Sequence, residues 1–214
     1  EHAVKQYGCR VTTTTLSQEQ HDYARQRFQA AGIDDRVTLL LCDYRDLTGQ
    51  FDKLASIEMI EAVGHEYHDT YFAKCASLLK ADGLFALQAI TIPEQRYEQY
   101  LRSVDFIQKY IFPGGCLPSL GAMTRSAGRV TNFQFIHVED FAEHYARTLK
   151  HWRTRFHANR DAIGNLGMTE TFLRLWDYYL CYCEGAFREK QIGVCQVLLQ
   201  KPGNRQSPLY PSLG

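Results

Sequence analysis

The stretch Ser56-Ile57-Glu58-Met59-Ile60-Glu61-Ala62-Val63-Gly64-His65-Glu66 sets two carboxylates three residues apart directly after an apolar run, Phe51–Ile57. That run reads as a buried strand, and the acids fall where it hands over to a helix. In open α/β sheets, ligands bind at the carboxyl ends of parallel strands. Carboxylates are costly to desolvate, so two of them at such an end need solvent or a partner.

The sequence on either side supports a sheet of that kind. Residues 1–7 read as the end of a helix closed by Gly8, and the β-branched run 10–15 reads as a strand. Ser17 and Gln20 form an S-x-x-Q capping box that opens a helix reaching about Ala31 and stopped by Gly32. Residues 37–42 form an apolar strand ending in Asp43-Tyr44, residues 65–79 a helix, and Asp82-Gly83 turns into a strand over 84–91. Strands alternating with helices predict βαβ units, hence a mostly parallel sheet with helices on both faces. After Thr91 the pattern changes. Residues 94–110 read as one long amphipathic helix rich in aromatics, ending at Phe112-Pro113-Gly114-Gly115, and 118–130 is weakly patterned. A strand over 132–138, helices over 142–159 and 170–189, and a last strand over 194–200 complete a single domain, 1–201. Residues 202–214, rich in Pro, Gly and Ser, are expected to be a flexible tail. No G-x-G-x-G precedes the first strand, so the first strand and glycine-rich turn of such a sheet are expected to be missing.

Composition narrows the function. With 45% hydrophobic and 22% charged residues, a length of 214 residues suffices for a real core. Lys+Arg and Asp+Glu total 24 each, which argues against a dedicated nucleic-acid binder. The seven cysteines lack metal-ligand spacing and read as buried thiols of a cytosolic protein. His65 and His68 lie three apart with no third ligand nearby, so no metal is expected. No apolar run approaches a membrane span, and no signal peptide is visible.

Five separated blocks resemble one family, the cyclopropane-fatty-acyl-phospholipid synthases with their mycolic-acid relatives. They are Thr15-Leu16-Ser17-x-x-Gln20, Asp43-Tyr44-Arg45-Asp46-Leu47, Ser56 to His65, Phe112-Pro113-Gly114-Gly115-x-Leu117-Pro118-Ser119, and His144-Tyr145-Ala146-x-Thr148-Leu149-x-x-Trp152. The resemblance implies a Rossmann-like class I methyltransferase fold with an inserted helical lipid-binding region. The implied cofactor is S-adenosylmethionine, with Thr15, Leu16 and Gln20 at its ribose and methionine end. Cys42, Asp43 and Tyr44 would line the adenine, with Ile57 beneath the cofactor. Glu61, Tyr145, Gln88 and the backbone of Ile90 are the implied catalytic set, holding a bicarbonate ion as general base. At position 88 the family commonly has His, and its Glu-His pair is here Glu61-Ala62.

The implied reaction transfers a methylene group to the double bond of an unsaturated phospholipid acyl chain. A peripheral contact with the cytoplasmic side of the inner membrane would go with it, and homodimerisation is left open. Three other functions fit parts of the pattern: methylation of an acyl carbon to give a methyl branch, small-molecule N-methylation, and a cofactor-free binding domain. Several residues have two readings. Glu58 is either a cofactor contact or a cap or surface acid. Glu61 and Tyr145 are catalytic or structural. The aromatics of 97–112 are core or lipid-facing.

Overall fold

The computed structural model describes residues 1–206, so residues 207–214 of the expected tail lie outside the described residues. The protein has two compact units, Glu1–Gly49 and a second beginning at Gln50.

In the first unit a short helix α1 (His2–Tyr7) ends at Gly8 in the left-handed conformation, φ 65°. It precedes β1 (Val11–Thr15), α2 (Gln18–Ala30) and β2 (Val37–Leu41). β1 and β2 pair in parallel, Thr15 opposite Leu41. The Ser17 hydroxyl accepts the Gln20 N–H at 3.2 Å, as a helix cap should. The Gln20 side chain does not close the box directly. Thr15 stands between, its hydroxyl donating to Gln20 Oε1 at 2.7 Å and accepting the Ser17 N–H at 3.1 Å.

The second unit is built on a four-stranded sheet of β3 (Phe51–Ile57), β4 (Leu79–Thr91), β5 (Gln134–Asp140) and β6 (Gly193–Gln200), ordered β3-β4-β6-β5. β3 and β4 are parallel, joined through α3 (His68–Ser77), but β6 runs antiparallel to both β4 and β5. β3, β4 and β5 therefore run the same way, as expected of a mostly parallel sheet, and β6 alone runs against them. β4 begins at Leu79, earlier than expected, and absorbs Asp82-Gly83 as an irregularity. Phe51 faces Leu79 and Lys53 already faces Leu84.

Between β4 and β5 lie α4 (Glu94–Tyr100), α5 (Phe106–Tyr110) and α6 (Leu120–Val130), where one long helix and a weakly patterned stretch were expected. The long helix is broken because Asp105 starts a helix of its own. Its carboxylate accepts the Gln108 N–H while Gln108 Oε1 accepts the Asp105 N–H. A reciprocal box of that kind fixes an N-terminus. α6 is capped by the fully buried Ser119. After β5 come α7 (Ala142–Ala158), α8 (Arg160–Asn165) and α9 (Glu170–Arg188). α7 and α9 pack through Leu149, Phe156, Leu173, Leu180 and Phe187, all buried. Tyr71, Phe72, Phe85 and Leu199 lie in the unit's core with no measurable exposure.

The start of the expected tail is bonded to the second unit. Lys201 N–H donates to Gly83 O, Gly203 N–H to Ala81 O, and the buried Asn204 amide to Asp82 O at 2.7 Å. A Cβ at Gly203 would run into the Ala81 carbonyl. Gly203→Ala is therefore expected to destabilise the protein by about 1–3 kcal/mol. Urea unfolding with an unchanged m-value checks it.

Candidate active site

β3 ends at Ile57, whose side chain is 66% exposed, and the backbone then reverses at Glu58 with φ 52°. A left-handed glutamate costs about 1–3 kcal/mol and persists only where its surroundings over-determine it. Here the Glu58 N–H continues the strand pairing by donating to Gln88 O at 2.9 Å. A 3-10 turn, Ile60–Ala62, follows, anchored by the fully buried Ile60. The Glu61 carbonyl accepts the Cys116 N–H at 2.7 Å, tying the turn to the Phe112-Pro113-Gly114-Gly115 loop.

The side chains of the two acids part company. Glu61 Oε1 accepts the Ile90 N–H at 2.5 Å, while its Oε2 is buried with no hydrogen-bond partner. Burial pushes the Glu61 carboxyl up to about 7, the Ile90 N–H opposes the shift, and the charge of Glu58 adds to it. Glu58 is the better satisfied of the pair. Its Oε1 accepts Gln88 Nε2 at 2.8 Å and its Oε2 accepts the Tyr145 hydroxyl at 2.9 Å. Gln88 is fixed in turn by Gln196, whose Nε2 donates to Gln88 Oε1 at 2.9 Å. Tyr145 stacks on Phe187, ring centroids 4.7 Å apart and planes 20° from parallel. Burial and the bond to Glu58 push the Tyr145 phenol upward, so it remains a hydrogen-bond donor at neutral pH.

Glu58, Glu61 and Tyr145 line a cavity of about 790 Å³. Such a volume accommodates a small molecule or an acyl chain. The remaining wall is largely aliphatic and aromatic, including Ile92, Tyr100, Ile107, Ile111 and Leu117. The aromatic segment divides by burial. Tyr97 and Tyr100 are buried core, whereas Tyr110 and Phe112 are each 56% exposed. Phe112 lines the cavity as well, which places it at the cavity's edge.

The expected site residues thus fall in two groups. Thr15, Leu16, Gln20, Cys42, Asp43 and Tyr44 belong to the first unit, at the carboxyl ends of β1 and β2. There the Thr14 hydroxyl donates to the Cys42 carbonyl, Leu16 is 73% exposed, and Arg45 holds the Asp43 carboxylate through both oxygens. That pairing lowers the Asp43 carboxyl to about 2. An exposed aliphatic face beside hydroxyl, amide and carboxylate groups suits an adenosyl group. The second unit contains Ile57, Glu61, Gln88, Ile90 and Tyr145. Gln88 and Tyr145 meet, but at Glu58, which is neither a cap nor a surface acid. The tyrosine donor therefore does not serve an anion beside Glu61. The donors that the resemblance assigns to bicarbonate, namely Tyr145, Gln88 and Ile90 N–H, are each engaged by a glutamate of the protein itself. These residues do not fit a bicarbonate held in that way. Gln196 and Phe187 carry no sequence signal for their supporting roles. Glu58 did carry one, as the second acid of the pair.

The fold is that of the S-adenosylmethionine-dependent methyltransferases. It superposes on the mycolic acid cyclopropane synthase CmaA1 complexed with SAH and CTAB with a TM-score of 0.85, 30% identity, and 94% and 73% of the two chains covered. The cyclopropane synthase MmaA2 from Mycobacterium tuberculosis gives a TM-score of 0.84 at 25% identity over 93% and 72%. The sequence matches the family described as mycolic acid cyclopropane synthetase over residues 1–197, and the chain belongs to that family. Among curated proteins it is 44% identical to the tuberculostearic acid methyltransferase UfaA1 of Mycobacterium tuberculosis, over 92% of this chain and 46% of that protein. It is 39% identical to the cyclopropane-fatty-acyl-phospholipid synthase of Escherichia coli, over 91% and 48%. The chain spans about half the length of these curated relatives.

The raised Glu61 carboxyl has a measurable consequence. Between its ordinary value of 4.5 and about 7, the folded protein holds a proton that the unfolded polypeptide has released. Stability must therefore fall as pH rises through that window, by about 3 kcal/mol in total. Glu61→Gln keeps an acceptor for Ile90 and is expected to flatten this slope, melting above the wild type at pH 8. Melting curves from pH 4.5 to 8 check it.

Proposed function

We propose that the protein transfers a one-carbon unit from S-adenosylmethionine to the double bond of an unsaturated phospholipid acyl chain, forming a cyclopropane ring. The observation that carries this reading is the apolar cavity with Glu58, Glu61 and Tyr145 in its wall. Family membership supports it, as do relatives named for fatty-acyl methylation and cyclopropanation. When bound, S-adenosylmethionine supplies an electrophilic methyl group. Thr15, Leu16, Gln20, Cys42, Asp43 and Tyr44, all in the first unit, would hold it. The cavity's aliphatic wall excludes water and fixes the acyl chain, so that a poor nucleophile becomes a well-placed one. The rings of Phe112, Tyr145, Tyr179 and Tyr182 line the same space, and aromatic faces stabilise positive charge developing on carbon.

Substrate would come from a bilayer. Phe112 and Tyr182, both exposed and both lining the cavity, offer an apolar edge for a lipid to pass. Among the described residues no helix is long and apolar enough to cross a membrane. In this reading the exposed edge at Phe112 and Tyr182 makes a peripheral contact with the cytoplasmic side of the inner membrane.

A second product is favoured by one comparison. A relative with 44% identity is named a tuberculostearic acid methyltransferase, so the same methyl transfer can end in a methylene branch instead of a ring. For the branch, a hydride first shifts from the methylated carbon to the neighbouring cationic carbon. The electron pair of the proton then lost from the methyl group forms a double bond to the methylated carbon. For the ring, that pair closes directly onto the neighbouring cation.

Incubation with methyl-labelled S-adenosylmethionine and vesicles of unsaturated phospholipid is expected to add one CH2 unit to the acyl group. Carbon NMR of the product then tells a cyclopropane from a methylene branch. No mass gain on the acyl group would sink both. Calorimetry with S-adenosylhomocysteine is expected to give micromolar binding, and its absence would leave a cofactor-free binding domain.

A further inference from the structure

We propose that Glu58 is the general base of the reaction, taking in this protein the place that a dissociable anion takes in the family. The inference rests on the proposed one-carbon transfer and names the group that receives its proton. It begins from three observations made above. Glu58 lines the cavity, its backbone is held at φ 52°, and each of its oxygens accepts a hydrogen bond from a side chain that is itself fixed. Gln88 is pinned by Gln196, and Tyr145 by its stacking on Phe187. A carboxylate aimed into an apolar cavity by two such donors is preorganised, as a proton acceptor needs to be.

The division of labour between the two acids follows from their surroundings. Glu61 is buried with one oxygen unpartnered, and desolvation holds its carboxyl near neutrality. Each Glu58 oxygen instead accepts a hydrogen bond, from Gln88 Nε2 and from the Tyr145 hydroxyl, so its carboxylate is held in one orientation. Glu61 also supplies the acceptor for Ile90 N–H and anchors the loop at Cys116, so it positions the turn from which Glu58 projects.

A separate anion would have to dislodge Glu58 from both Tyr145 and Gln88 and then sit against its charge. A carboxylate with two hydrogen bonds still has lone pairs for a proton. In the step itself, a C–H bond of the newly added methyl group breaks. Its electron pair closes the third carbon–carbon bond onto the neighbouring cationic carbon, and the proton passes to a Glu58 oxygen. Water removes that proton after product leaves.

The test separates base from reaction. Carbon-13 bicarbonate is titrated onto the protein and followed by NMR line width, and product formation is compared in carbonate-scrubbed and bicarbonate-supplemented buffer. The wild type is expected to show no saturable bicarbonate binding and equal rates in both buffers. Glu58→Gln is expected to lower kcat by about 10²–10⁴-fold, the usual contribution of a positioned base, with S-adenosylhomocysteine affinity retained. Glu58→Gly relieves the left-handed strain and vacates the donors, so it should gain bicarbonate binding and partial rescue by added bicarbonate. Saturable bicarbonate binding to the wild type, or a wild-type rate that depends on bicarbonate, overturns the proposal. So does a Glu58→Gln variant with wild-type kcat. If no acyl product forms under any condition, the proposed reaction fails. The bicarbonate titration of wild type and Glu58→Gly still reports on whether Glu58 occupies the anion's place.

Discussion

The register of β4 is the constraint on which the second unit depends. Gln88 faces Ile57 across the parallel pair and Gln196 across the antiparallel one. Successive strand residues point to opposite faces, so a slip of one residue would turn Gln88 away from Glu58 and move Ile90 N–H away from Glu61. The apolar alternation of the same strand, with Phe85, Leu87 and Ala89 buried, makes that slip expensive. Core packing and the polar cluster thus enforce one alignment. The site takes its precision from the sheet, which fixes the turn that carries Glu58 and Glu61.

Electrostatics explains the contrast between two neighbouring glutamates. Burial holds the proton on Glu61, one of whose oxygens has no partner, and the Glu58 charge adds to the effect. Both Glu58 oxygens, by contrast, accept hydrogen bonds from side chains. A partly buried polar cluster of this kind is sensitive to partial loss, because an unpaired member bears the cost of its desolvation. The series Gln196, Gln88, Glu58, Tyr145 is complete in that sense.

Much of this was legible in the residues. The apolar run 51–57 marked a strand with the two acids directly after it, the Ser17 cap and the strand end Thr15 fell where expected, and β2 ended one residue early, at Leu41. What escaped was long-range. Tyr145 lies 87 positions from Glu58, and no local pattern reports such a meeting. The direction of β6 escaped because alternation is the same for parallel and antiparallel strands. The break at Asp105 is different, since Asp105-x-x-Gln108 was a visible capping signal overridden by the amphipathic period around it. Glu58 was seen as a question, and only its partners in three dimensions show what holds it.

The broken helix also bears on how the cavity wall is built. α5 has only five residues, closed at one end by its Asp105–Gln108 box and tied to the opposite loop by Gln108 Nε2 donating to Gly115 O at 3.0 Å. Ile107, Gln108 and Ile111 belong to the cavity wall. Phe106 packs its ring against Tyr178 and Tyr182 of α9, centroids 4.7 and 5.6 Å apart. A five-residue helix held by its box, one loop bond and one aromatic side chain opens at a smaller free energy than a strand that leaves only with the whole core. The interruption thus separates this side of the cavity wall from the sheet that aims Glu58.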